Sequence, residues 1–173
     1  MKLVYDMYMK IVAIDPSIRK LGFAQFNINK KKKTATLECA ELYKVTGNDW
    51  IECIDEMIRN LLYPIRNAEI VLIELPHIYT VGKRGVAAGN SESIMKLCAF
   101  VFALRQHLIE NDQEVILIPV AKWKGQVPKS ITKKRIKKRW NFTHKSNDVV
   151  DACGVGDYYI KKVLGIVTVQ SKI

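Results

Sequence analysis

The order of hydrophobic patterns along the chain constrains its fold more than any other feature of the sequence. Short apolar or alternating segments at residues 10–15 (KIVAID), 21–27 (LGFAQFN) and 34–45 are typical of β-strands. A Pro-Ser pair separates the first two, and the polar turn NKKKK separates the second from the third. Strands joined by such short turns predict an antiparallel meander.

After residue 48 the pattern alternates between helical spacing and continuous apolar runs. The segments predict, in order, helix 49–66 capped by Asn48 or Asp49, strand 68–75, helix 91–110 and strand 114–118. Ser146 or Asn147 can cap a last helix that runs to about residue 164. The order βββ-α-β-α-β-α predicts an α/β fold with a five-stranded mixed sheet, an antiparallel meander plus parallel strands, flanked by helices. A length of 173 residues predicts one domain, residues 1–173.

Two acidic residues stand at the ends of apolar strands. Asp15 closes KIVAID just before Pro16, and Glu74 closes IVLIE just before Leu75-Pro76. Functional sites in open α/β sheets form beyond strand ends. A carboxylate is costly to bury in such a place unless a cation pairs with it. Asp15 and Glu74 are therefore candidate metal ligands.

The last predicted helix carries a second acidic pair. Asp148 and Asp151 are three residues apart, so they share one helix face near its N-terminus. Asp157 falls on roughly the opposite face, and we interpret it as a solvated or secondary group and not as a ligand. Four carboxylates with few competing His or Cys residues suit Mg²⁺ or Mn²⁺. Two such ions could support phosphodiester hydrolysis. The alternative is that all four acids are caps or surface groups.

The charge balance predicts a polyanionic partner. Lys and Arg number 28 against 17 Asp and Glu, a net charge of +11. Seven cations crowd into residues 129–139: Lys129, Lys133, Lys134, Arg135, Lys137, Lys138 and Arg139. Helical spacing would put several of them on one face, suited to contact with backbone phosphates, and the candidates are Lys129, Lys133, Lys134, Arg135, Lys137 and Lys138. Lys122 and Lys124 could hold the scissile phosphate. The alternative for the run is a solvated basic helix, and nothing in it predicts base-specific readout.

The remaining features are less informative. The four cysteines lack metal-ligand spacing and are expected to be small buried groups in a reducing compartment. No apolar run reaches the roughly 18–20 residues that span a bilayer, so we expect a cytoplasmic protein with no membrane partner. Trp123 and Trp140 are interpreted as core or hinge anchors, and His144 as a weak candidate for assisting the acidic cluster.

Three stretches resemble one known family. IVAIDPSIRKLGFAQF at 11–26, VLIELPHIY at 71–79 and NDVVDACGVGDYY at 147–159 are similar to the RuvC-type Holliday-junction resolvases of the RNase H-like superfamily. The phage-type members look closest, through residues 118–140, and a phage-encoded enzyme acting in the host cytoplasm is expected. The resemblance implies that Asp15, Glu74, Asp148 and Asp151 bind two Mg²⁺ or Mn²⁺ ions. It also implies a homodimer, with part of helix 91–110 in the interface, that nicks opposed strands of branched DNA.

The resemblance further implies that the loop at residues 77–89 touches DNA near the crossover. The candidate contacts in this loop are Tyr79, Lys83 and Arg84. Family members often carry an aromatic residue three positions after the glutamate, where this chain has His77. The stacking role therefore falls to His77, to Tyr79 or to neither.

Several other functions are compatible with these residues. The same carboxylates suit a nuclease acting on an RNA–DNA hybrid, or a phage enzyme that trims branched DNA during packaging. A basic nucleic-acid-binding module with a structural acidic cluster is an alternative without catalysis. A transposase core is disfavoured by the short chain, and an actin-like kinase by the lack of glycine-rich phosphate-binding turns.

Overall fold

A computed structural model describes residues 7–76 and 89–171 of the protein. Its centre is a six-stranded sheet in the order β5-β4-β1-β2-β3-β6. The strands are β1 Tyr8–Asp15, β2 Lys20–Asn29, β3 Thr34–Lys44, β4 Ile70–Leu75, β5 Glu114–Pro119 and β6 Thr168–Ser171. The β1–β2–β3 meander is antiparallel, and the β4–β1, β4–β5 and β3–β6 pairs are parallel. The predicted mixed sheet flanked by helices is therefore confirmed.

The predicted number of five strands is wrong, because β6 adds a sixth. Thr34 to Leu37 of β3 pair in parallel with Thr168–Ser171. Gly165, at φ +67°, turns the chain after the last helical segment and directs it along the sheet edge. A four-residue strand is too short to produce a recognisable hydrophobic period, so tertiary placement decided it.

In the part of the chain that the structure describes, five α-helices lie on the two faces of the sheet. They are α1 Trp50–Ile65, α2 Gly89–Glu110, α3 Val120–Trp123, α4 Lys129–Trp140 and α5 Asn147–Tyr158, and a π-helical turn, Tyr159–Val163, continues α5. Asp49 caps α1 by accepting hydrogen bonds from the amides of Ile51 and Glu52 at 2.8 and 2.9 Å. Across the two described ranges, no helix combines the length with the apolar character that crossing a bilayer requires.

Alternation along the strands separates two hydrophobic cores. Ile11 and Ala13 of β1 join the core beneath α4 and α5, whereas Val12 and Ile14 join the core beneath α1 and α2. The same alternation continues to the next residue, so Asp15 belongs to the α5 side of the sheet. The sheet thereby directs its strand-end acid toward the helix that carries the second acidic pair.

Candidate active site

The parallel pairing of β1 and β4 brings the two strand-end acids side by side. Ile14 lies opposite Ile73, so the next residues in register are Asp15 and Glu74. Ile70 and Leu72 of β4 pack into the core on the α5 side, and alternation places Glu74 on that side too. The strand order, with β4 directly beside β1, therefore builds half of the predicted site.

Helix α5 supplies the other half through an unusually close approach to β2. A Cβ atom on Gly22 would lie 2.0 Å from the carbonyl oxygen of Asp148, so only glycine allows this contact. The helix begins there because Ser146 Oγ accepts the Asp148 amide at 3.2 Å. One turn later Asp151 is buried, with 7% of its surface exposed. The structure thus brings all four predicted carboxylates together.

The electrostatics of Asp15 show that the four carboxylates influence one another. Burial, followed by the negative charges of Glu74, Asp151 and Asp148, raises the pKa of Asp15 to about 9, and Lys124 only partly offsets this. Burial also raises the pKa of Glu74 to about 7, while a hydrogen bond from Trp123 acts to lower it. Two neighbouring acids with raised pKa values, such as Asp15 and Glu74, are typical of a functional site.

Two residues of the segment after β5 contact the carboxylates directly. Trp123 Nε1 donates a hydrogen bond to Glu74 Oε2 at 2.8 Å, and its ring packs on Gly154 of α5. Lys124 Nζ lies 2.5 Å from Asp151 Oδ2, with both side chains largely buried. Sequence reasoning linked Lys124 to phosphate and Trp123 to anchoring, and it missed both carboxylate contacts. Both residues follow β5, and the position of β5 beside β4 in the sheet is what brings them to the carboxylates.

The donor set fits a hard divalent cation by its chemistry. Clustered carboxylate oxygens are the ligands that Mg²⁺ and Mn²⁺ prefer, and a cation would relieve the repulsion that raises the pKa of Asp15. Within residues 7–76 and 89–171, however, no three His, Cys, Asp or Glu side chains already stand in a ligand arrangement. The ammonium group of Lys124 supplies the positive charge beside Asp151 instead.

Many of the predicted basic residues lie on α3 and α4, the helices that follow β5. Thr132, Ile136 and Trp140 form the buried stripe of α4, so the cations of this helix lie on its remaining surface. The exposed cations of α3 and α4 are Lys122, Lys129, Lys133, Lys134, Arg135, Lys137 and Lys138. Lys129, at the start of α4, is near enough to Glu74 to lower its pKa. This exposure leaves the predicted DNA-contacting groups accessible.

Asp157 differs from its interpretation as a solvated group. It is partly buried, pairs with Arg139, and accepts a hydrogen bond from Trp140 Nε1 at 3.0 Å. Arg139 also donates to the carbonyl oxygens of Ile166 and Val167. Arg139 is therefore a structural cross-link between α4, α5 and the chain leading to β6, and the fully buried Trp140 is a core anchor as expected.

Of the remaining predicted residues, His144 lies in the described loop before α5, and the others fall in the segment after β4. His144 Nδ1 accepts the amide of Ser146 at 3.0 Å, and its ring stacks on Phe142, so this histidine supports the cap of α5. The predicted DNA contacts of the loop after β4 lie outside the described residues: His77, Tyr79, Lys83 and Arg84.

Together, the meander, the parallel strands and the final helix define an RNase H-like fold of the RuvC type, as the sequence predicted. The solved Thermus thermophilus RuvC bound to a Holliday junction has a TM-score of 0.67 and 16% identity, covering 92% of this chain and 99% of that chain. The fowlpox virus resolvase bound to Holliday junction DNA has a TM-score of 0.59 and 19% identity, covering 90% and 99%. The yeast mitochondrial Holliday junction resolvase has a TM-score of 0.56 and 10% identity, covering 88% and 78%. No protein-family model and no curated protein matches the sequence.

Proposed function

We propose that residues 1–173 form a single nuclease domain that cleaves four-way or otherwise branched DNA with the help of divalent metal ions. The observation that carries the proposal is the convergence of Asp15, Glu74, Asp148 and Asp151 in a RuvC-type fold. Two proteins of similar structure, from Thermus thermophilus and fowlpox virus, are bound to Holliday junctions. The net charge of +11 favours the same kind of partner.

In the proposed reaction the four carboxylates would hold two Mg²⁺ or Mn²⁺ ions. Such ions supply a reactive water and neutralise charge on the oxygens of a phosphodiester during hydrolysis. Trp123 keeps Glu74 oriented through its indole N–H. We propose that Lys124 exchanges its contact with Asp151 for a phosphate oxygen of the bound strand, where its positive charge stabilises the transition state.

We further propose a homodimer built on the exposed side of α2. Met95, Phe102 and Ile109 are 66%, 52% and 39% exposed and follow one another at intervals of seven residues. Seven-residue spacing places the three side chains along one stripe of the helix. A two-fold axis would pack the stripe against its own copy, and two active sites would then face opposed DNA strands.

The decisive experiment compares the cleavage of a labelled four-way DNA junction, a linear duplex and an RNA–DNA hybrid, each with Mg²⁺, Mn²⁺ or EDTA. We expect paired nicks in the junction that require metal and disappear in Asp148→Asn. Glu69→Gln is the matched control, because Glu69 lies at the opposite end of β4 and pairs with Lys30 on the surface. Cleavage of the RNA–DNA hybrid alone would support the proposed metal-dependent hydrolysis but would contradict branched DNA as the substrate.

One observation favours a second candidate, a junction-binding module without catalysis. Lys124 already neutralises Asp151, and within the two described ranges no three His, Cys, Asp or Glu side chains stand in a ligand arrangement. Tight junction binding with no cleavage under any metal condition would support this module and contradict the nuclease proposal. In that case Asp148→Asn would leave junction binding unchanged.

A further inference from the structure

A groove of about 690 Å³ leads away from the carboxylate cluster between α4 and α5. It begins at Trp123 and Lys124, which contact Glu74 and Asp151, and it extends to Val169 of β6. Its volume is that of a typical ligand pocket. The groove is thus continuous with the proposed active site and lies on the side of α5 away from Gly22.

The walls of this groove carry a concentration of positive charge. Arg135, Lys138, Lys161 and Lys162 all line it and are all exposed. Among the described residues, none of these four side chains has a carboxylate within salt-bridge distance. The groove-lining acid is Asp157, and Arg139 and Trp140 already bind it. The groove therefore offers several cations to an anionic ligand.

The π-helical turn after α5 contributes two of these cations. The Leu164 amide donates to the Tyr159 carbonyl at 3.1 Å, a bond that spans five residues. Both lysines within this turn, Lys161 and Lys162, line the groove. Single π-turns are uncommon and concentrate at functional sites. The π-helical turn and the positive charge of its two lysines therefore both mark this groove as a candidate binding site.

We infer that this groove holds an unpaired DNA strand that continues from the cut site. Phosphates of the strand would contact Arg135, Lys138, Lys161 and Lys162, and unpaired bases would stack on the aromatic surfaces of Trp123 and Tyr158. A duplex keeps its bases stacked on one another and exposes only their edges in the grooves, so the faces of its bases cannot stack on the aromatic surfaces. The inference rests on the proposed function and assigns it a substrate class, branched DNA with unpaired nucleotides beside the cut.

The test measures binding of a labelled single strand, and of the duplex of the same sequence, by fluorescence anisotropy in EDTA at several salt concentrations. The groove variant is Lys161→Ser with Lys162→Ser, and the control is Lys31→Ser with Lys32→Ser in the exposed β2–β3 turn. Each pair removes two positive charges from exposed positions. We expect the groove variant to bind the single strand about tenfold more weakly, with a salt slope reduced by about 1.4 for two lost phosphate contacts.

The control should bind like the unmodified protein, and duplex binding by the groove variant should change less than twofold. Equal losses in both variants, or equal losses on single strand and duplex, would overturn the inference. Because EDTA prevents metal-dependent cleavage, this result is independent of catalysis. Junction cleavage with Mg²⁺ is measured separately, and its failure would contradict the proposed nuclease while leaving the strand-binding result in place.

Discussion

At the scale of single residues, the fold disfavours the ionised form of Asp15, because it brings this side chain near other acids and partly away from water. Asp15 is partly buried near three other acids, and its pKa is raised to about 9 from an ordinary 3.8. In the absence of a cation this residue carries a proton at neutral pH. Binding of a divalent ion must displace that proton, so ion affinity is expected to increase with pH.

We predict that the metal-free protein loses stability as pH rises, and that Asp15→Asn prevents most of this loss. Because the folded-state pKa of Asp15 lies above its unfolded value, its contribution is fully present below pH 3.8 and disappears as pH approaches 9. Asp15→Asn should therefore stabilise the protein at pH 8–9 in EDTA, by on the order of several kcal/mol. Urea unfolding between pH 5 and 9 measures this.

Asp55→Asn, at an exposed position of α1, is the control for the Asp15 prediction and should leave the decline with pH unchanged. If the free energy of unfolding depended on pH in the same way for Asp15→Asn and the unmodified protein, the prediction would be wrong, because ionisation of Asp15 would then not destabilise the fold.

Trp123→Phe tests whether the indole N–H positions Glu74. The substitution retains an aromatic ring against Gly154 but removes the hydrogen bond that lowers the pKa of Glu74. We expect cleavage in Mg²⁺ to fall about tenfold, Mn²⁺ to bind more weakly in calorimetry, and the pH–rate profile to move to higher pH. Trp50→Phe, in the other core, is the matched control. An unshifted pH profile would reduce Trp123 to a packing role.

At the scale of elements, the site depends on where α5 begins relative to β2. Ser146 starts the helix, and Gly22 allows its first turn to approach the sheet. Asp148 and Asp151 reach the strand-end acids only because of this approach. The spacing of the acids along α5 is local, whereas their distance from Asp15 is decided by the packing of helix on strand.

Gly22→Ala is expected to displace α5 and disable the site. Its new methyl group would lie 2.0 Å from the Asp148 carbonyl oxygen, so the helix must shift. Overpacking of this kind costs about 1–3 kcal/mol in the free energy of unfolding, and we expect cleavage to fall more than tenfold at a temperature where the variant is fully folded. Both quantities come from denaturant unfolding and junction cleavage.

Gly165→Ala separates lost stability from lost geometry in the Gly22 experiment. At φ +67° an alanine is strained, but its side chain meets open space and leaves the start of α5 in place. Gly165→Ala should lower the free energy of unfolding and leave the rate of junction cleavage unchanged. A fully active Gly22→Ala would show that the close approach of α5 is not required.

At the scale of the whole molecule, the proposed function requires two copies acting together. The apolar stripe of α2 lies on the side of that helix away from the buried Val101, Leu104 and Leu108. Exposed large hydrophobic groups aligned in this way are typical of interaction surfaces. Paired nicks in a junction would follow from a dimer, whereas one subunit supplies one cut.

Phe102→Glu should therefore convert a dimer into monomers. A charge in the centre of the stripe should weaken association by about 30-fold or more, as measured by analytical ultracentrifugation. Single nicks should then replace paired nicks in the junction. Ile51→Glu, at a similarly exposed position of α1, is the control and should stay dimeric. A monomeric unmodified protein would contradict the homodimer proposal directly.

The sequence by itself determined the mixed α/β fold and the four acids of the candidate site. Strand alternation and helical spacing are local patterns, and they place Asp15 and Glu74 at strand ends and the two aspartates on one face of α5. The same local reasoning narrowed each helix cap to two neighbouring residues, of which the structure selects Asp49 for α1 and Ser146 for α5.

Tertiary structure alone decided the sixth strand, the contacts of Trp123 and Lys124 with the carboxylates, the role of Asp157 and the basic groove. The carboxylate contacts join residues 27 and 49 positions apart in the chain. They exist because β5 lies beside β4 and α4 packs against α5, and no local pattern encodes that placement. A four-residue edge strand and a cleft between two helices have no sequence period, so only the packed structure defines them.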